Sequence, residues 1–409
     1  MIVLTHPFGN ANVRAVLAAL QRENLLSRFV TTIGWSVDSQ KNLAPRIRAA
    51  LRRNYDLPAN KIDLHPFREA IRLLAGRFQL TSLIRHEAGW ASIDQVWQSL
   101  DRETGYAIRR GKFPSARGAY AYEDCAEQIF RAAGDAGWKR IYDLPIAYWE
   151  TAQRLLREEA LRYPDWEPTL GGTRDSSAKL ARKTKELELA DLVVCPSRFV
   201  FESLPPAIPK PSVIVPFGTP VCEMSEPEII SATVNRPLRV LFAGALTQRK
   251  GLADLFAAMK LVSSRNIELV VMGSLIKPLN WYKQRLPNFL YEPPRPHEQV
   301  MKLMQTCDVF VLPSIVEGRA LVQQEAMACG LPVIATKNAG ADDLIHDGES
   351  GFLVPIRDPG ALAAKLDWCA GNRPALAGMG IAAQRRASEF TWPAYGERII
   401  AAIRELIPE

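Results

Sequence analysis

Short apolar segments alternate with longer amphipathic segments along most of the chain, and this rhythm limits the fold more than any other feature. Apolar runs bounded by turn residues are typical of buried strands, and the segments between them have helical periodicity. Because such alternation is typical of parallel sheets with both faces covered, we predict an α/β protein of two tandem doubly wound, Rossmann-like domains facing a central cleft. The predicted strands are residues 2–5, 118–122, 139–145, 191–196 and 212–217, and then 238–245, 267–273, 288–292, 308–313 and 332–336.

The domain boundaries follow from where this rhythm stops. We predict a first domain over residues 1–217, a linker without clear periodicity over 218–236, a second domain over 237–389 and a terminal helix over 390–409. In tandem doubly wound domains, the carboxyl ends of the strands and the N-termini of the helices converge on the space between them. The cleft is therefore where a ligand is expected.

Composition excludes several classes of protein. Hydrophobic residues make up 47% and charged residues 23% of the chain, which is ordinary for a globular protein. No apolar run approaches the roughly 20 residues of a membrane-spanning helix, and the opening MIVLTHPFGN lacks the charged leader of a signal peptide. The six cysteines are scattered without a CxxC pair and the five histidines are isolated, so we predict a cytoplasmic protein with reduced thiols and no metal site.

Two cations follow the first strand of the second domain, in the segment FAGALTQRKGLADLFAAM at residues 242–259. The strand ends at Gly244, and the loop after it carries Arg249 and Lys250 into a helix. Fixed cations beside a helix N-terminus and a close-approach glycine are suited to binding a pyrophosphate. The alternative is that both are ordinary solvated loop charges, which are common after a strand.

Two carboxylates flank the start of another helix, in EGRALVQQEAMACG at residues 317–330. A helix is predicted from about residue 320 to 329, because a glycine and then a proline follow it. Glu317 would lie just outside its N-terminus, and Glu325 would project along the same side. Both acids can accept hydrogen bonds from vicinal hydroxyls, although a capping acid and an exposed glutamate would also fit. Three unpaired amides would be free to meet an anion there, those of Arg319, Ala320 and Leu321.

These motifs, PSIVEGRALVQQEAMACGLPVIAT with GALTQRKG upstream and GESGFLVP downstream, resemble those of the retaining family-4 glycosyltransferases of the GT-B fold. The similarity covers most of residues 190–395. It implies that Glu317 binds the donor sugar, that Glu325 binds the nucleotide ribose, and that Lys250, with Arg249, neutralises the diphosphate leaving group. It also implies that the terminal helix packs back on the first domain. Further donor contacts are implied for Gly9, Gly244, Gly273, Gly318, Arg319, Ala320 and Leu321.

The chain departs from the family pattern in three places. Ala245 stands where many relatives have an arginine, EGRA replaces EGFG, and the first-domain histidines typical of many relatives are missing from the matching strand ends. Those strand ends carry Glu123, Asp124 and Asp143 instead, which either contact acceptor or sugar or cap the following helices. Asn10, in the first loop, either donates a hydrogen bond to a substrate or caps the helix that follows it.

The resemblance implies transfer of a sugar from a nucleotide-diphosphate donor to a glycan or lipid-linked acceptor, with retention of the anomeric configuration, in bacterial surface-polysaccharide or glycolipid synthesis. Cations aimed at the departing phosphate would stabilise negative charge as it develops. No cofactor or metal is expected; the nucleotide-sugar is a co-substrate, and a UDP-sugar is favoured over a GDP-sugar. A GT-B-fold nucleotide-sugar epimerase is the alternative. An oxidoreductase is disfavoured because no GxGxxG follows the first strand.

The net charge of +7 is concentrated in residues 41–85, which hold ten basic and three acidic residues. One interpretation is an anionic membrane surface as partner, which would hold the protein at the inner face of the cytoplasmic membrane. A nucleic-acid-binding protein is less favoured, because the stretch has few aromatic residues for base stacking. Apolar residues recur at helical spacing in 43–55 and 67–78, and such stripes usually pack on a core.

Overall fold

The computed structural model describes residues 1–40, 53–220 and 236–408. It contains two parallel sheets flanked by helices, which confirms the predicted pair of doubly wound domains. Most of the predicted linker and most of the predicted helix at 43–55 lie outside the described residues. The described end of that helix is not helical, because Asn54 forms a parallel bridge with Trp35.

The first domain has, in the described residues, seven parallel strands in the order β3-β2-β1-β4-β5-β6-β7. Two of these strands were not predicted, because β2 has Ser27 and Arg28 in its sequence and β3 is only three residues long. The strands are β1 (Ile2–Thr5), β2 (Leu26–Thr31), β3 (Ile62–Leu64), β4 (Gly118–Tyr122), β5 (Lys139–Asp143), β6 (Leu192–Cys195) and β7 (Ser212–Ile214). The helices are α1 (Ala11–Arg22), α2 (Val37–Gln40), α3 (Phe67–Arg77), α4 (Thr81–Ile84), α5 (Ile93–Arg109), α6 (Glu127–Asp135), α7 (Trp149–Arg162), α8 (Ser177–Leu189) and α9 (Arg198–Glu202).

The second domain has, over residues 236–408, six parallel strands in the order β10-β9-β8-β11-β12-β13. The strands are β8 (Leu238–Ala243), β9 (Ile267–Met272), β10 (Leu290–Glu292), β11 (Val309–Leu312), β12 (Val333–Thr336) and β13 (Gly351–Val354), the last of them not predicted. The helices are α10 (Leu252–Leu261), α11 (Leu279–Lys283), α12 (His297–Met304), α13 (Leu321–Ala328), α14 (Pro359–Gly371) and α15 (Arg373–Ser388). The strand order reverses between β1 and β4 in the first sheet and between β8 and β11 in the second, and ligands of doubly wound sheets bind at such switch points.

The terminal helix, α16 (Trp392–Leu406), lies on α1 of the first domain. Its apolar side packs into the core around β1 and α1 through Ile399, Ile400 and Ile403, each at most 4% exposed. Gly396 permits the close approach, because a Cβ there would lie 2.8 Å from that of Ala19. The last helix of the chain therefore joins the second domain to the first.

Helix α3 exposes the apolar stripe that was expected to pack on a core. Phe67, Leu74 and Phe78 are 68%, 55% and 66% exposed, so the core-packing expectation for this stripe is wrong. The inward side of the helix instead carries Glu69, which is fully buried and bonds Arg72 at 2.6 Å and also Arg53. A buried acid needs a counter-charge, and Arg53, which lies outside the helix, supplies one from the domain interior side, while Arg72 supplies another from the helix itself.

Candidate active site

A cavity of about 760 Å³ lies between the two domains, at the switch points of both sheets. The first-domain wall is formed mainly by residues at the ends of β1 and β4 and by Trp97 of α5. The second-domain wall is formed by residues at and after the ends of β8, β9, β10 and β11. Most predicted site residues line this cavity, and the exceptions are Gly9, Asp143, Arg249 and Gly318.

Glu317, in the loop after β11, is held by the two cations that follow β8. Arg249 Nη1 lies 3.0 Å from Oε1 and Lys250 Nζ lies 2.6 Å from Oε2. Burial would raise the pKa of Glu317, but the two cations together hold this pKa below its ordinary value. The acid and the cations are therefore a single charged cluster at the second-domain wall, with Glu317 ionised.

One side-chain and one backbone hydrogen bond hold the loop that carries these cations in place. Thr247 caps the short 3-10 turn Gln248–Lys250, because its Oγ1 accepts a hydrogen bond from Lys250 N at 3.4 Å. The carbonyl oxygen of Arg249 accepts a hydrogen bond from Ile315 N at 2.9 Å. The loops after β8 and β11 are thus tied directly to each other, which places the cations beside Glu317.

Two glycines let the backbones after β8 and β9 meet. Gly244 and Gly273 have φ of +152° and +145°, values that side chains of L-residues rarely adopt. A Cβ on Gly273 would lie only 1.7 Å from the carbonyl oxygen of Gly244, and one on Gly244 would lie 2.7 Å from Lys250 Cδ. Both glycines line the cavity, so this bare stretch of backbone faces any ligand bound beside Lys250.

The segment between Glu317 and α13 differs from the prediction in two respects. The helix begins at Leu321, and the amide of Ala320 donates a hydrogen bond to Ala339 O at 3.3 Å, so this amide is already paired. The Arg319 side chain is fully buried and bonds Asp343 at 2.7 Å and Gln324 at 3.0 Å. Arg319 therefore borders the cavity, and its guanidinium holds the loop in place through Asp343 and Gln324.

Glu325 lies on the cavity side of α13, as its spacing predicts. His297 Nε2 lies 3.1 Å from Glu325 Oε1, and burial raises the pKa of Glu325 despite this neighbour. His297 begins α12, directly after the cavity-lining residues Pro294 and Arg295. Neither His297 nor Arg295 was singled out from the sequence, although both lie in YEPPRPHEQ at residues 291–299, a segment expected to supply base contacts.

The first-domain wall carries aromatic and acidic residues. Glu123 and Asp124, after β4, pair with α8: Lys183 Nζ lies 3.3 Å from Glu123 Oε1, and Arg182 Nη2 lies 2.8 Å from Asp124 Oδ1. Neither acid is the cap of α6. That role belongs to Asp101, whose carboxylate accepts hydrogen bonds from the first-turn amides of the helix, and to Glu186.

Asp143 is the clearest correction to the predicted acceptor contacts. It is 1% exposed, and its Oδ2 accepts a hydrogen bond from Tyr120 O–H at 2.7 Å within the sheet. Burial raises the pKa of Asp143 to about 7. Since Asp143 is the last residue of β5 and points into the interior, it does not reach the cavity.

The first loop divides its roles between two neighbours. Gly9 has φ of +61° and is buried against Tyr55, so it shapes the turn and does not line the cavity. Asn10 occupies the N-cap position of α1, but its side chain makes no capping hydrogen bond, and it lines the cavity. His6 also lines the cavity and was missed, although its place directly after β1 is a strand-end signal.

One group of possible metal ligands lies in the described residues. Single ligand atoms of His86, Glu87 and Asp175 come within 4.8 Å of one another. Lys179 Nζ lies 3.0 Å from Asp175 Oδ1 and 2.8 Å from the neighbouring Asp94 Oδ1. The carboxylate of Asp175 is therefore already paired with a cationic side chain. None of these residues lines the cavity.

Comparison with known proteins relates the second domain to a family of transferases. Residues 227–386 match the family model described as glycosyl transferases group 1. Over these residues, the second domain is therefore similar to group 1 glycosyl transferases. Among curated relatives, D-inositol 3-phosphate glycosyltransferase of Corynebacterium diphtheriae is 39% identical over 26% of this chain and 25% of its own length. A second relative is named as the putative colanic acid biosynthesis glycosyltransferase WcaL of Salmonella typhimurium. It is 32% identical over 32% of this chain and 35% of its own length.

The whole chain has the fold of solved two-domain GT-B structures. The Anabaena HepE structure in complex with UDP covers 99% of this chain and 99% of its own, with a TM-score of 0.62 at 16% identity. Structural similarity at such a low sequence identity shows the fold alone. It confirms the GT-B fold that the resemblance of the motifs implied. The chain spans between 25% and 47% of the length of the first curated relatives it matches.

The domains also share the loop that carries Glu317. Ser197 Oγ, after β6, donates a hydrogen bond to Gly318 O at 2.7 Å, and Ala147 N donates to Glu317 O at 3.4 Å. A Cβ on Gly318 would lie 1.8 Å from Pro145 O, so only glycine permits this contact. First-domain groups therefore hold the backbone of a second-domain site residue.

Proposed function

We propose that this protein is a retaining glycosyltransferase that moves a sugar from a nucleotide-diphosphate donor to a glycan or lipid-linked acceptor in bacterial surface-polysaccharide or glycolipid synthesis. The observation that carries the proposal is the cluster of Arg249, Lys250 and Glu317 at the switch point of the second sheet. A matched family model for that domain and a relative named for colanic acid biosynthesis support it.

We infer the roles of these residues in the proposed reaction from their charges. Lys250, with Arg249 behind it, would stabilise the charge that develops on the departing phosphate. Glu317 is ionised and held by two cations, so it is suited to accept hydrogen bonds from sugar hydroxyls and unsuited to donate a proton. The leaving phosphate would then accept the proton of the attacking hydroxyl. Because Lys250, supported by Arg249 behind it, would neutralise the phosphate, the proposed reaction would need no metal ion.

A UDP-sugar is the proposed donor, and Glu325 is the proposed ribose contact. HepE, which has the same fold, has been crystallised with UDP-glucose. The test is a panel of nucleotide-sugars in a thermal-shift assay. A ligand at 100 times its dissociation constant stabilises the folded state by about 2.7 kcal/mol, so a UDP-sugar should raise the melting temperature and a GDP-sugar should not.

Two further measurements separate the proposed reaction from its alternatives. Incubation of the donor without acceptor would convert the sugar while still attached to the nucleotide if the protein were an epimerase. A transferase should leave the bound sugar unchanged and release UDP only slowly. NMR of the product should show the anomeric configuration of the donor, and inversion of that configuration would contradict the retaining mechanism.

We also propose that α3 binds the surface of an anionic membrane. The described residues contain no helix that is long and apolar enough to cross a bilayer. The exposed Phe67, Leu74 and Phe78 provide apolar surface, and the exposed Arg77 and Arg85 lie near them in sequence. Amphipathic surfaces bind in proportion to buried apolar area plus attraction to anionic lipid, about 1 kcal/mol per basic residue near the surface.

The membrane proposal is tested by sedimentation with vesicles. Wild-type protein should sediment with anionic but not neutral vesicles at low salt. Replacing Phe67, Leu74 and Phe78 with Ser should abolish this, while Leu161→Ser and Ile381→Ser, which remove equally exposed apolar residues elsewhere, should not. Arg53 and Arg72 are unsuitable targets because both hold Glu69. Binding that survives the triple substitution would contradict a role for α3.

A further inference from the structure

The first-domain wall of the cavity combines a hydrogen-bond donor, carboxylates and an aromatic surface. His6, Trp97 and Glu123 all line it, and Trp97 lies edge-on to His6 with ring centroids 5.0 Å apart. Hydroxyl-rich ligands need groups that donate, groups that accept and an apolar face for C–H surface. This wall offers all three opposite the proposed donor site.

The tautomer of His6 is fixed by the backbone. Nδ1 accepts hydrogen bonds from the amides of Phe8 and Gly9, each at 3.0 Å. An Nδ1 that accepts cannot carry the proton, so the proton of the neutral ring is on Nε2. Burial lowers the pKa of His6 to about 3, so the ring is neutral at working pH. In the described residues Nε2 has no hydrogen-bond partner, and the residue borders the cavity.

The charge of the wall opposes an anionic ligand. Among the lining residues that the first domain contributes, the charged ones are the acids Glu123 and Asp124. Their partners, Lys183 and Arg182, lie behind them on α8 and do not line the cavity. Glu123 Oε1 is buried and receives no hydrogen bond, because Lys183 approaches at 3.3 Å without hydrogen-bond geometry. A phosphate placed here would meet carboxylates first.

We propose that this wall is a subsite for an acceptor sugar that is uncharged near its reacting hydroxyl, with His6 Nε2–H donating to one acceptor oxygen and Glu123 accepting from a hydroxyl. The inference rests on the proposed transferase function and adds the class of acceptor. It contrasts with relatives named for an inositol 3-phosphate acceptor.

The matched pair His6→Asn and His6→Gln tests whether His6 donates a hydrogen bond to the acceptor sugar. The Asn oxygen can replace Nδ1 as the acceptor for the two amides but leaves no group at Nε2, whereas the Gln amide can reach the Nε2 position. His6→Asn should raise the acceptor KM about three- to tenfold, as expected for one lost hydrogen bond, and leave the donor KM and the UDP-induced thermal shift unchanged. His6→Gln should recover part of the loss. Unchanged acceptor kinetics in His6→Asn, or equal loss for donor and acceptor, would overturn the role of His6.

Acceptor pairs that differ only by a phosphate test the charge. The wild type should use the uncharged member, for example glucose over glucose 6-phosphate. Glu123→Gln should narrow this preference for the uncharged acceptor because it removes one of the two negative charges of the wall, while the exposed Glu405→Gln should not. A wild-type preference for the phosphorylated member would overturn the inference with the transferase intact. Absence of nucleotide-sugar binding would instead contradict the proposed function.

Discussion

Neutralising Lys250 and Glu317 one at a time should separate donor binding from sugar transfer. The two side chains form a 2.6 Å ion pair, with Arg249 3.0 Å away on the other carboxylate oxygen. Lys250→Met removes the cation nearest to the proposed leaving phosphate. Loss of one group aimed at transition-state charge typically costs about 2.7–4 kcal/mol, so kcat should fall about 10²- to 10³-fold and UDP should bind more weakly.

Glu317→Gln should have the opposite effect on UDP binding. The substitution removes the negative charge that pairs with both cations, and it also removes a repulsive neighbour of the diphosphate. A unit charge 4 Å away contributes about 4 kcal/mol at an effective dielectric constant of 20, which is an upper bound for a partly hydrated site. UDP should therefore bind at least as tightly as to wild type, while transfer is lost with the hydroxyl contacts.

The assays are calorimetric titration with UDP and kcat from UDP release at saturating donor and acceptor. Lys260→Met, which removes an exposed lysine at the end of α10, is the control and should change neither quantity. Weakening of UDP binding by Glu317→Gln as large as that by Lys250→Met would falsify the separation of roles, because the pair would then be a structural unit.

Three further predictions concern the scaffold. The pKa of Asp143 is about 7 in the fold against an ordinary 3.8, so the folded protein holds a proton that the unfolded chain releases, and stability should fall as pH rises between about 4 and 7. Asp143→Asn should flatten this slope in urea titrations and retain transfer. Gly273→Ala should abolish UDP binding, since its Cβ would lie 1.7 Å from Gly244 O, and the melting temperature should drop. Ile403→Ala, at 3% exposure in α16, should cost about 2–5 kcal/mol in denaturant unfolding without moving the donor KM.

The sequence predicted the architecture and most of the second-domain residues that line the cavity, because those features are local. Arg249 and Lys250 follow a strand directly, and the motif of Glu317 and Glu325 lies within nine residues of one strand-helix connection. The glycine that was expected to end α13, Gly330, has the left-handed φ of +74° that is typical of such a position. Residue positions that depend only on a single strand–loop–helix connection could therefore be predicted from the sequence.

The rest depended on pairings between distant segments. The burial of Asp143 beneath Tyr120, the pairing of Glu123 with Lys183 sixty residues away, and the orientation of α3 are set by neighbours that no local pattern reveals. The stripe on α3 had the periodicity of a core helix, yet Glu69 and its two arginines face inward. Helical spacing shows which residues share a face and does not show where that face points.

The shared loop at Gly318 has a consequence for engineering. Ser197 and Ala147 hold the backbone around Glu317, and Pro145 leaves room only for glycine at residue 318. Replacing the first domain with that of another GT-B protein therefore also replaces the contacts that hold this loop in its conformation. A chimera designed for a new acceptor should therefore keep the native residues 145–147 and Ser197, although none of them is a proposed acceptor contact. Chimeras that omit them are expected to bind nucleotide but to transfer slowly, whatever their acceptor preference.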